Sequence, residues 1–93
     1  MLLDTERRGL LRSALGEAIG GFAARSFPHA QRSAVLDLSE RLLTDPDTSL
    51  TANDLELFKL TLDFALRELG PEEFQTITGY DFEFGTSILA ELE

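Results

Sequence analysis

The stretch with the most chemistry in it is Asp45-Pro46-Asp47-Thr48-Ser49-Leu50-Thr51-Ala52-Asn53-Asp54-Leu55-Glu56. Counted as a calcium loop between two helices, it carries oxygen side chains at five of the positions such loops use. Two departures count against calcium. The sharp turn needs glycine where this chain has Leu50, and a β-branched aliphatic belongs where it has Ala52. The same residues also fit a simpler arrangement: a polar loop over Thr44 to Ser49, then a helix capped by Thr51. Asp54, three residues on, would complete a capping box. The sequence therefore predicts that Asp45–Glu56 binds no calcium.

Other catalytic material is sparse. His29 is the single histidine, beside Pro28 at a helix start, and there is no cysteine for a thiolate, a disulfide or a soft metal site. There is no nucleophile elbow, no phosphate-cradling glycine loop and no His-Glu-x-x-His. Carboxylates are plentiful, but they do acid–base work only where a pocket perturbs them. The expectation is a chain that is not an enzyme and that uses no cofactor and no metal.

Two further segments bear on binding. Phe74 to Glu91 can be read as a helix-turn-helix, yet it holds Asp81, Glu83 and Glu91 and no Lys or Arg, so duplex DNA would be repelled. Arg7, Arg8 and Arg12 form the only basic cluster, and they read as a solvated face. The run Tyr80-Asp81-Phe82-Glu83-Phe84 is the best candidate for a functional surface. Alternate residues on a helix step by about 200°, so one face cannot bury all three rings. Either at least one ring lies near the surface or under a partner, or all three complete a small core.

These residues must be positioned by helices. The first is predicted over about Thr5 to Ala24, capped by Asp4. Its inner stripe is Leu3, Leu11, Ala14, Leu15, Ala18, Ile19 and Phe22. Nearly opposite run Gly9, Ser13, Gly16, Gly20 and Ala23, which either admit another backbone closely or simply face water. A second helix, about Phe27 to Leu43, turns Ala34, Val35, Leu38 and Leu42 inward and pairs Asp37 with Arg41 on its wet side.

The third helix, about Ala52 to Leu69, is apolar over most of its circumference. Leu55, Phe58, Leu62, Ala65, Leu66 and Leu69 make one face. Leu57, Leu60 and Phe64 make another. Glu56, Lys59, Asp63 and Arg67 form the polar strip. Gly70-Pro71 stops this helix and opens a short one to Thr78, with Gly79 as its C-cap. Asp81 caps a last helix with Phe84, Ile88 and Leu92 on its inner face. The rival is a β-hairpin about Gly79, because Thr76-Ile77-Thr78 is β-branched and residues 80–84 alternate. The predicted fold is all-α: one domain over residues 1–93, a small bundle of four to five helices.

Charge divides the chain. Residues 1–46 hold six Arg and six acids, whereas residues 47–93 hold Lys59 and Arg67 against eleven acids, so the whole formal charge of −9 lies in the second half. Such a field disfavours nucleic acid and acidic membranes and favours basic proteins. No stretch resembles a signal segment or a membrane span, which predicts a cytoplasmic location.

Three classes of function remain. The first is a non-catalytic protein–protein interaction module, self-associating as a homodimer, with Leu57, Leu60, Phe64, Tyr80, Phe82 and Glu83 as partner-binding candidates. The second is an acidic inhibitor of the antitoxin or immunity type that caps a basic partner surface. The third is a carboxylate metal-binding module.

Overall fold

The computed structural model describes residues 4–21 and 24–93. It is all-α. Helix α1 spans Thr5–Gly20, α2 Arg32–Thr44, α3 Ala52–Thr78 and α4 Phe82–Leu92. Two single 3-10 turns, Ala24–Ser26 and His29–Gln31, lie between α1 and α2. Leu3, Phe22 and Ala23 of the expected first-helix stripes lie outside the described residues.

Helix α1 starts where Asp4 accepts the Arg7 amide at 2.8 Å. It stops at Gly20, short of the predicted Ala24. Gly21 is extended, and its amide closes on the Glu17 carbonyl at 3.2 Å. The last turn holds no cation of its own, and Arg32 of α2 supplies one by donating to the Ile19 carbonyl at 2.9 Å.

The second helix begins later than its periodicity suggests. Pro28 has ψ 121°, outside the helical range, so residues 29–31 form a separate turn and α2 starts at Arg32. From there Val35, Leu38 and Leu42 are buried and Ala34 is half-buried.

Helix α3 is broken once, where Gly70 adopts φ 73°, ψ 173° before Pro71. The left-handed region suits glycine, and the missing Pro71 amide costs nothing at the start of the next segment. The segment after Pro71 runs directly to Thr78. Gly79 then takes φ 81°, and its amide donates to the Gln75 carbonyl at 2.9 Å.

The alternative hairpin about Gly79 does not form, and the described residues contain no strand. Its β-branched signal is absorbed by the helix. The Thr76 and Thr78 hydroxyls fold back to the carbonyls of Glu72 and Phe74, at 3.0 and 2.7 Å.

Helix α1 lies against both α2 and α3, and α4 lies against α3. The core joins Leu10, Leu11, Ala14 and Leu15 of α1 to Val35, Leu38 and Leu42 of α2. Phe58, Leu62, Ala65 and Phe74 of α3 and Ile88 of α4 complete it. Gly85 lets α4 settle onto α3, since a Cβ there would come within 2.7 Å of the Phe74 ring. No helix among the described residues is long and apolar enough to cross a membrane.

Candidate functional site

The loop from Asp45 to Thr51 is built around arginines. Arg8 of α1 is buried, and its guanidinium donates to the carbonyls of Pro46 and Thr48, the latter at 2.9 Å. Asp45 is exposed and accepts the Asp47 amide at 3.2 Å, an Asx turn. The capping box is present: Asp54 receives from the Thr51 amide at 2.9 Å, and the Thr51 hydroxyl receives from the Asp54 amide at 3.1 Å.

Asp54 does more than cap. Its carboxylate is 6% exposed and takes a two-pronged contact from Arg41. Arg41 is thus drawn to α3, and the predicted pair with Asp37 on its own helix does not form. Asp54 already holds its partner in a fixed position, whereas a surface i,i+4 pair gains little. The Arg41 hydrogen bonds hold the Asp54 carboxyl below the usual carboxylate range, helped by the Thr51 amide and opposed by burial. Within this segment Asp45 serves the Asp47 amide, Asp54 serves Arg41 and the Thr51 amide, and the carbonyls of Pro46 and Thr48 serve Arg8. Among the described residues no group of three or more His, Asp or Glu is placed to hold a metal ion.

The predicted basic cluster is dispersed along α1. Arg8 faces the loop. Arg7 binds Asp4 at 2.6 Å and Glu91 of α4 at 2.8 Å, tying the start of the first helix to the end of the last. Arg12 is exposed.

The aromatic run forms two pairs. Tyr80 stacks on Phe84 with centroids 5.7 Å apart, and Phe82 meets Phe74 edge-on at 5.9 Å. All three rings are half-buried and packed on the core, while Glu83 is exposed. Tyr80 sits outside α4, so the 200° step does not constrain it, and its hydroxyl lies over Gly9 of α1. The glycine stripe of α1 therefore has two fates. Gly9 admits a tyrosine ring, where a Cβ would overlap the hydroxyl. Gly16 and Gly20 face open space.

The second face of α3 also divides. Phe64 is buried and meets Phe27 edge-on, with centroids 5.1 Å apart. Leu57 and Leu60 are half-buried at the walls of two shallow depressions. One lies toward α2, lined by Gln31, Ala34, Asn53 and Glu56. The other lies toward α4, lined by Lys59, Asp63, Leu89 and Glu93. Glu56 and Leu60 belong to both, so the two depressions adjoin over the outer side of α3. Along the polar strip Asp63 and Arg67 pair at 2.8 Å.

A surface missed at the level of sequence lies on α2. Leu43 is 82% exposed and Leu36 44%. They are seven residues apart, hence on one side of the helix, one step round from Val35 and Leu42. Leu43 shares a shallow apolar hollow with Leu15, Leu42 and Gly16, edged by Arg12 and Ser39. The signal was available, since an inner stripe at Val35, Leu38 and Leu42 leaves Leu36 and Leu43 outside it.

Comparison with protein-family models, characterised proteins and solved structures finds no match to this chain.

Proposed function

We propose that the chain is a non-catalytic protein–protein interaction module that associates with a second copy of itself through the α1–α2 face. The observation that carries this reading is Leu43, a large apolar side chain 82% exposed beside the open backbone of Gly16. Burying a leucine is worth about 1.5–3 kcal/mol, and a two-fold contact does it twice. Charge favours the same face. Residues 1–46 balance six Arg against six acids, while the formal charge of −9 lies beyond them. Two copies repel least when they meet through their neutral halves. The α3 face is the poorer choice for a two-fold contact. Phe64 lies in the core, and Glu56 and Asp63 would be brought toward their own copies.

Sedimentation velocity at micromolar concentration tests the reading. The wild type should sediment as a dimer and Leu43→Glu as a monomer with an unchanged circular dichroism spectrum, since Leu43 supports little of the core. A wild type that sediments as a monomer would defeat the proposal.

A further inference from the structure

The two adjoining depressions over α3, taken together as one shallow groove, point to a different occupant. Its walls are Leu57 and Leu60 of α3 and Leu89 of α4, all half-buried, with Ala34 of α2 at one end. Apolar walls are edged by carboxylates: Glu56 in the middle, Asp63 and Glu93 at the α4 end. Among the described residues Lys59 is the one cation lining it. Asp63 is already paired with Arg67, whereas Glu56 and Glu93 make no ion pair with a described residue. The lining residues of α3 run from Asn53 to Asp63, which at 1.5 Å per residue is about 15 Å, close to three turns of helix.

We infer that this groove receives an amphipathic helix of a partner protein, with leucine-like residues against Leu57, Leu60 and Leu89 and lysine or arginine against Glu56 and Glu93. A helix laid in a groove buries its apolar stripe while its flanks stay at the rim, where opposite charge sets orientation and speeds encounter. Duplex nucleic acid has no apolar stripe for the walls and carries the wrong charge for the rim. A second copy brings acid to acid. The inference does not depend on self-association, because the two faces share no residue.

The test is fluorescence anisotropy with a labelled helical peptide of leucine and lysine, about four turns long. It is titrated with the full chain and compared with a peptide of the same composition scrambled so that the leucines encircle the helix. The amphipathic peptide should saturate and bind at least about tenfold more tightly than the scrambled one. Glu56→Lys, at an exposed position that leaves the core untouched, should weaken it by about tenfold, as should Leu60→Ser. The double variant Glu72→Lys/Glu73→Lys, which removes more negative charge far from the groove, should change affinity by less than about twofold. The dimer-face variant Leu43→Glu should bind as the wild type does. If Leu60→Ser fails to fold, Glu56→Lys carries the result. Equal binding of the two peptides, or equal weakening by the Glu72/Glu73 variant, would reduce the effect to bulk charge and overturn the inference. Binding that occurs only as a dimer dissociates would assign the groove to a second copy and overturn it as well.

Discussion

Both terminal nitrogens of Arg41 reach the Asp54 carboxylate, at 2.8 and 2.7 Å, across the loop that joins α2 to α3. One carboxylate thereby caps α3 and binds α2 to it. Asp54 is held below the ordinary carboxylate value first by Arg41 and then by the Thr51 amide, against the opposing effect of burial. In the unfolded chain the ordinary value, near 4, returns. The stabilisation is therefore complete above about pH 4 and is lost as pH falls through the lower folded value. Asp4 adds to the same trend, lowered chiefly by the Arg7 amide. The urea midpoint should be flat from neutral pH to about 5 and fall below it. Asp54→Asn should flatten that acid limb and cost about 1 kcal/mol at neutral pH, a modest figure because Arg41 is nearly half-exposed.

Two glycines of α1 should answer alanine in opposite ways. At Gly16 the added methyl meets open space, so Gly16→Ala should stabilise by about 0.5–1 kcal/mol. At Gly9 it overlaps the Tyr80 hydroxyl, so Gly9→Ala should destabilise despite the better helix propensity. Tyr80→Phe in the Gly9→Ala background should recover part of the loss, because the overlapping hydroxyl is gone while the next ring atom, 3.1 Å away, is still tight. Thermal melts in the Leu43→Glu background keep self-association out of the comparison. Equal effects at both glycines would contradict the Tyr80 contact.

Phe64 and Leu60, grouped on one face by helical spacing, should separate on truncation. Phe64→Ala removes a buried ring from the Phe27 contact and should cost about 3–5 kcal/mol, enough to threaten folding. Leu60→Ala, at a half-buried groove wall, should cost about 1 kcal/mol. Denaturant titration of the two variants decides it, and similar losses would mean that Leu60 also belongs to the core.

Arg8 should control the loop after α2. Without its guanidinium the carbonyls of Pro46 and Thr48 lose their donor. Amide exchange over residues 45–51 should accelerate in Arg8→Ala, with little change in α4. Arg8→Lys should rescue only in part, since one ammonium cannot reproduce the planar fork. Added calcium should leave the melting temperature of the wild type unchanged, and a saturable upward shift would show that the loop carboxylates can be recruited after all.

The parts of this fold legible in sequence were those set by local chemistry. The Thr51–Asp54 cap, the break at Gly70-Pro71 and the C-cap at Gly79 are written in residue type and spacing, and each forms where expected. Buried stripes were legible too, although Leu10, fully buried beside Leu11, was passed over. What periodicity could not carry was anything fixed by a distant segment. Arg41 leaves its helical neighbour Asp37 for Asp54, Arg8 crosses to Pro46, and Tyr80 finds Gly9. None of these follows from spacing, because each depends on how the helices lie together. The candidate surfaces fared likewise. Leu57 and Leu60 line a groove, but Phe64, on the same nominal face, is claimed by Phe27 from outside its helix.

The position of α1 between α2 and α3 has a consequence for how the chain folds as it is made. Helix α1 leaves the ribosome before α2, and α2 before α3, so the first two can pair early. The larger surface of α1 waits for α3, whose core-forming part ends roughly fifty residues later. At about 5–20 residues per second that delay is roughly 3–10 seconds. Throughout it, the side of α1 that meets α3 lacks its cover. A nascent chain stalled before Leu69 should therefore be held by chaperones, and release should coincide with emergence of the third helix.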